Sequence, residues 1–177
     1  MNPDTYAKKI ARLHEELGIP PDYALERNLV LQREPDALVS IETDIFSRPQ
    51  QLTLDAANHW AKMRDAAKKE KILLSIVSAF RSVDYQTQLF NKKLAAGHTI
   101  ETILTVNAAP GYSEHHTGRC LDLTTSDCVP LEESFEATPA FLWLTKNAGD
   151  FGFKLSYPRN NPHHFIYEPW HWIFTAN

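Results

Sequence analysis

The segment Cys120-Leu121-Asp122-Leu123-Thr124 puts a carboxylate in the middle of a run that otherwise alternates like a strand. Strand side chains alternate between faces, so Asp122 shares its face with Cys120 and Thr124, while Leu121 and Leu123 turn the other way. A carboxylate in that setting is either a cost to stability or a ligand. Seven positions earlier, His115 lies in the loop Ser113-Glu114-His115-His116-Thr117, and Gly118 allows the turn that would let the imidazole and carboxylate converge.

Two further segments supply complementary chemistry. Glu168-Pro169-Trp170-His171-Trp172 sets a carboxylate and an imidazole three apart among aromatic side chains that would dry and stiffen a pocket. Ser78-Ala79-Phe80-Arg81-Ser82 follows Ile72 to Ser78, which reads as a largely buried strand, so a guanidinium sits at that strand's C-terminal end. Zinc catalysis needs three protein ligands, an open fourth position and a base that is not itself a ligand. His115, Asp122 and His171 supply the three, with one zinc ion expected. Glu168 supplies the base, and Arg81 can hold a substrate carboxylate or a developing oxyanion.

Around these segments the chain divides into ordinary elements. Tyr6, Ile10, Leu13 and Leu17 recur at helical spacing, with Asn2 or Asp4 as the cap and Gly18 as the stop. Leu29 to Ile45 mixes apolar pairs with Pro35 and predicts short strands or irregular packing. Thr53 caps a helix running through Trp60 and Met63 to a basic end at Lys68, Lys69 and Lys71. Ser82 caps the next, with Tyr85, Leu89, Phe90 and Leu94 on one face and Gly97 at its end. A short helical segment runs from Ile100 to Val106, and Thr138-Pro139 opens another helix closed by Gly149. Phe153 to Tyr157 and Phe165 to Phe174 predict two or three short strands about the turn Arg159-Asn160-Asn161-Pro162. No repeat, linker or low-complexity tract interrupts the 177 residues, so one α+β domain is expected.

Composition excludes several classes. The 18 Lys and Arg are scattered and the formal net charge is −4, which offers no footprint for nucleic acid or an anionic membrane. The N-terminus lacks a charged, apolar, then small-residue signal pattern, and no 18-residue apolar run occurs, so a soluble cytoplasmic protein is expected. Cys120 and Cys128 are spaced for neither a zinc ribbon nor a disulfide framework and read as free thiols.

The set Ser78 to Ser82, Ser113 to Asp122 and Glu168 to His171, in that order, resembles the VanY-type D-alanyl-D-alanine carboxypeptidases, zinc peptidases of peptidoglycan. The resemblance runs from about Leu52 to Phe174. It implies an α+β fold with a small central antiparallel sheet flanked by helices, the zinc site lying on the sheet. It also implies a core over residues 51–177, with residues 1–50 as a helical and irregular extension packed on it. The family's zinc ligands transfer to His115, Asp122 and His171 and its base to Glu168; Arg81, Gln86, Ser113 and Tyr157 match substrate-contacting positions. Cys120 stands where the family usually has alanine, so it is either a thiol beside the metal or simply a small buried residue. The family spacing and Gly118 favour His115 over His116 as ligand, leaving His116 at the rim.

The other histidines have plainer readings. His14, His59 and His98 read as surface residues, His163 and His164 as surface or supporting groups in a polar turn, and Trp60 and Trp143 as core. The resulting expectation is removal of a terminal D-Ala from a small peptide or muropeptide. An L,D-carboxypeptidase acting on recycled tetrapeptides comes first, ahead of a D,D-carboxypeptidase acting on pentapeptides. From a different class, a zinc-stabilised peptide-binding module without turnover is the rival, and retention of Glu168 and Arg81 argues against it.

Overall fold

The fold is described by a computed structural model covering residues 3–175. In chain order the elements are α1 (Pro3–Leu17), α2 (Tyr23–Glu26), β1 (Val39–Thr43), β2 (Pro49–Leu52), α3 (Leu54–Lys69), β3 (Ser75–Ser78), α4 (Val83–Ala95), α5 (Ile100–Val106), β4 (Cys120–Thr124), α6 (Pro139–Asn147), β5 (Phe153–Leu155) and β6 (His171–Phe174). Four strands form an antiparallel sheet in the order β3-β4-β6-β5, and β1 pairs with β2 in a separate antiparallel hairpin. The expected α+β class and small antiparallel sheet are both present.

The sheet buries one face against α3 and α6. Leu121 and Leu123 of β4 and Trp172 and Phe174 of β6 meet Trp60, Met63, Trp143 and Leu144 in the main core. Trp60 and Trp143 are therefore core residues as expected, and each indole N–H finds a carboxylate at the edge, Glu42 and Glu70 respectively. Strand register decides which polar side chains can meet on the other face, and Asp122 lies directly opposite His171 across the β4–β6 pair. Directly opposed residues have Cβ atoms roughly 4.5–5.5 Å apart, so these two side chains share a face and must meet.

Residues from Tyr6 to Tyr23 take part in the packing. Tyr6 and Ile10 pack on Val83 of α4, while Leu17, Ile19 and Tyr23 pack with Phe90, Ile103, Leu104 and Ala109. A boundary at residue 50 falls inside β2, and its partner β1 lies on the other side of that cut. Of the two expected helix caps for α1, Asn2 lies outside the described residues and Asp4 falls within the first turn. No helix of the described residues is long and apolar enough to cross a membrane.

Several local expectations shift, each for a physical reason. The strand expected from Ile72 begins only at Ser75, because Lys71 takes a left-handed conformation (φ 62°) and the Ile72 N–H donates to Ala67 O to close α3. On α4 the buried face is Val83, Gln86 and Phe90, leaving Tyr85 48% exposed; Ser82 does cap, accepting from the Tyr85 N–H. Thr53 takes the cap position of α3 without a side-chain cap bond. The α6 helix ends before Gly149, and a 3-10 turn over Ala148–Phe151 carries the chain to Gly152 (φ 77°). From Phe165 to Trp170 the chain is irregular, and only His171–Phe174 joins the sheet.

Candidate active site

Two strands and one turn bring the predicted ligands together. Asp122 and His171 project from β4 and β6, and His115 sits in a 3-10 turn over Glu114–Thr117 that Gly118 ends in a left-handed conformation (φ 62°). A Cβ at Gly118 would lie 2.7 Å from the Leu38 side chain, so both sterics and dihedral require glycine there. Asp122 Oδ1 lies 2.9 Å from His171 Nδ1, and Asp122 Oδ2 lies 3.1 Å from His115 Nε2. With Cys120, these residues offer ligand atoms all within 4.8 Å of one another, and all four are buried.

The His115 tautomer is set by its surroundings. Its Nδ1–H donates to Ala79 O at 2.5 Å, which leaves the Nε2 lone pair facing the Asp122 carboxylate without a hydrogen-bond partner. Burial, then repulsion from Arg81, lowers the His115 pKa, so the ring is neutral. A lone pair and a carboxylate oxygen facing each other in a buried site form the donor geometry of two ligands to one cation. Ala79 is itself anchored: its N–H donates to Gln50 Oε1, and Gln50 Nε2 donates to Asp44 Oδ2. Asp44 also accepts from Arg48 and the Phe46 N–H, so the β1–β2 hairpin is linked to the His115 ring through Gln50 and Ala79.

His171 is held from both sides. Nδ1 faces Asp122, and Nε2 lies 2.9 Å from Glu114 Oε2 and 3.1 Å from Cys120 Sγ. Burial opposes charge on the ring, but Cys120 and the hydrogen bonds to Asp122 and Glu114 outweigh it and raise its pKa well above the ordinary histidine range. Without a metal the ring therefore carries a proton at Nδ1, where a cation would compete for the lone pair, so metal uptake must release it and affinity must rise with pH. Asp122 resists protonation: burial works against its charge, but His115 and His171 hold its carboxyl well below the usual carboxylate range. The Cys120 thiol, pushed up to about 12 by burial and so neutral, lies closer to His171 Nε2 than to Nδ1, at 3.1 Å against 3.7 Å.

Glu114 is a functional candidate that sequence reasoning missed. A carboxylate that orients a ligand imidazole through its far nitrogen is a recurrent support of metal sites. Replacing Glu114 with glutamine should weaken metal binding by about 10- to 100-fold with the fold intact. Titration with a competing chelator checks this, and unchanged affinity would remove Glu114 from that role.

Glu168 is buried with Oε2 3.6 Å from His171 Nδ1, and its N–H is fixed by Tyr157 O. Burial, followed by the charges of Asp122 and Glu114, pushes its pKa up to about 7 against the pull of His171 and Arg81. Arg81, Ser113, Tyr157, Glu168, Trp170 and the three histidine and aspartate groups line one cavity of about 220 Å³. That is below the roughly 300–1,000 Å³ of pockets for drug-sized ligands and suits a small terminal residue.

Gln86 does not join them. It is fully buried, its amide N–H donates to Ala108 O, and it braces the cavity wall from behind. His116 is a second departure: expected at the rim, it is fully buried, with Nδ1–H donating to Arg81 O at 2.6 Å and Nε2 accepting from the Gly111 N–H. His98 is exposed as expected, but His14 and His59 are half-buried and bonded to Pro110 O and Phe151 O. His163 supports the site indirectly, its ring edge meeting Tyr157 and its Nδ1 bonded to Arg27 O.

The family model described as VanY, D-alanyl-D-alanine carboxypeptidase, matches residues 49–177. YodJ of Bacillus subtilis (strain 168), a protein named for a carboxypeptidase activity, is 34% identical over 165 residues, covering 92% of this chain; the chain spans 58% of YodJ's length. The solved LdcB LD-carboxypeptidase superposes with a TM-score of 0.73 at 32% identity, covering 82% of this chain and 71% of that one. The vancomycin-resistance D,D-pentapeptidase VanY, solved with Zn(II), gives a TM-score of 0.63 at 20% identity, covering 85% and 88%. At that identity the likeness concerns the fold.

Proposed function

This chain belongs to the VanY family of D-alanyl-D-alanine carboxypeptidases, and from that premise we propose that it is a zinc-dependent carboxypeptidase removing the terminal D-Ala from peptidoglycan stem peptides. The observation that carries the reading is one small cavity joining a three-ligand cluster to a carboxylate that is not needed as a ligand, with a pKa pushed up to about 7. His115 through Nε2, Asp122, and His171 through Nδ1 would hold the ion, a nitrogen and oxygen donor set that suits zinc. When bound, the ion supplies Lewis acidity that activates water and polarises a peptide carbonyl.

The remaining chemistry belongs to the chain's own side chains. Glu168 accepts a proton from water and returns it to the departing amine of D-Ala, a two-way transfer that a group with a pKa near neutrality performs best. Arg81 stabilises negative charge that develops on the carbonyl oxygen, while Ser113 and Tyr157 position the peptide. A module that only bound peptides would gain nothing from a buried carboxylate kept this close to protonation.

The bond preferred is the L,D bond between diaminopimelate and D-Ala of a tetrapeptide, supported by the likeness to LdcB. It is also the cut compatible with a cytoplasmic place in muropeptide recycling, because a D,D cut there would consume the pentapeptide precursors of synthesis. Incubating zinc-loaded protein with disaccharide tetrapeptide and, separately, pentapeptide, with D-Ala followed by mass spectrometry, tests both levels. Chelator-sensitive release from tetrapeptide alone is expected. Release from pentapeptide alone would reverse the bond assignment, and release from neither would leave only a binding role.

A further inference from the structure

The catalytic cavity holds more positive charge than the proposed mechanism uses. Lys93, near the end of α4, lines the same cavity as Arg81, His115, Asp122 and Glu168. It is half-buried, and its ammonium is held by the side-chain oxygen of Asn107, which also lines the cavity. That partner is neutral. Among the described residues neither Lys93 nor Arg81 forms an ion pair, and Arg81 Nε is buried without a hydrogen-bond partner.

Burial and repulsion from Arg81 both disfavour the Lys93 charge, lowering its pKa below the ordinary lysine value. A lysine turned into a cavity beside an arginine, and held there by an amide, costs free energy unless an anion enters. The helix end does not require the arrangement, since neighbouring Lys92 is exposed and serves the negative end of α4 equally well.

We propose that Lys93 is a specificity-determining residue that binds a carboxylate of the peptide substrate, leaving Arg81 free for the carbonyl oxygen at the reacting centre. The inference rests on the peptidase reading of this cavity and adds a substrate requirement to it. Two carboxylates on a stem peptide have the right chemistry: the C-terminal carboxylate of D-Ala, and the free side-chain carboxylate of diaminopimelate, which a lysine-containing stem lacks. The apolar mouth residues Val106, Leu131 and Ile166 offer no competing charge.

The test is equilibrium binding by calorimetry to zinc-loaded Glu168→Ala protein, so that it does not depend on turnover. Two peptide pairs are compared, C-terminal acid against C-terminal amide, and diaminopimelate against lysine at the third position, with Lys93 intact and with Lys93→Met. The expected result is that Lys93→Met weakens the carboxylate-bearing member of one pair by about 10- to 100-fold and its neutral counterpart far less, as for loss of a half-buried charged hydrogen bond. The pair that responds identifies the source of the carboxylate, and Lys93→Arg should restore most of the preference. Equal weakening of both members of both pairs, or none, overturns the proposal. Hydrolysis by the wild-type protein is scored separately: turnover with no Lys93-dependent preference leaves the peptidase and removes Lys93, whereas the preference without turnover does the reverse.

Discussion

Glu168→Ala protein is expected to take up zinc like the wild type and to lose about 10²- to 10⁴-fold in kcat on stem peptide, the range of a lost general base. The asymmetry arises from placement. Glu168 Oε2 is 3.6 Å from His171 Nδ1, whereas Asp122 reaches both His115 and His171 at about 3 Å, so removing Glu168 leaves the three donors in position. It also removes a buried group that is costly to ionise, so stability should hold. His171→Ala is the contrasting variant: it deletes the β6 donor and leaves Asp122 and Glu114 without their shared partner, so metal binding and hydrolysis should vanish together. The wild-type kcat profile should climb as Glu168 loses its proton, at or below pH of about 7, and any residual activity of the alanine variant should lack that limb. Near-normal turnover in Glu168→Ala would sink the base assignment.

How much of this was legible in the sequence depends on whether a residue acts within its own segment or across the fold. Asp122 was legible because strand alternation marks a carboxylate among leucines, and its antiparallel partner turned out to be His171, the imidazole of the other motif. Glu114 was not, because nothing in its spacing says that a side chain in a 3-10 turn returns to a residue fifty-seven positions later. The hairpin was equally hidden: β2 begins with Pro49 and carries two glutamines, a weak strand by propensity, yet Gln50 is the link between Asp44 and the carbonyl that orients His115. Gln86 was assigned to substrate by its motif position, but the one-residue shift of the buried face of α4 turns it into the wall. Lys93 carries the same lesson, since a lysine in the last turn of a helix reads as a solvated end until its neighbours across the cavity are known.

His116→Ala should cost about 2–5 kcal/mol of stability, more than a rim histidine could, because it strands two buried backbone groups and leaves a void. The ring joins two loops: Nδ1–H donates to the carbonyl of Arg81, and Nε2 accepts from the N–H of Gly111. Both bonds require the neutral ring, and burial lowers its pKa to about 4. Between that value and the ordinary value of 6.5, the unfolded chain binds a proton that the native protein refuses, so stability falls as pH drops through this window. The contribution lost amounts to about 3 kcal/mol once the pH is below both values. His14 and His115, also depressed by burial, act in the same direction, whereas Glu168, pushed up to about 7, gains stability as pH falls over this range, so the His116 share is read as the difference between wild type and variant. Glutamine can offer an N–H and a carbonyl from nearly the same position without titrating. Chemical denaturation of metal-free protein from pH 7 to pH 4 should therefore show His116→Gln partly recovering the alanine variant's loss at neutral pH, with an acid limb shallower than wild type by the His116 share. An unchanged limb in both variants would mean that His116 is not the neutral buried brace between Arg81 and Gly111.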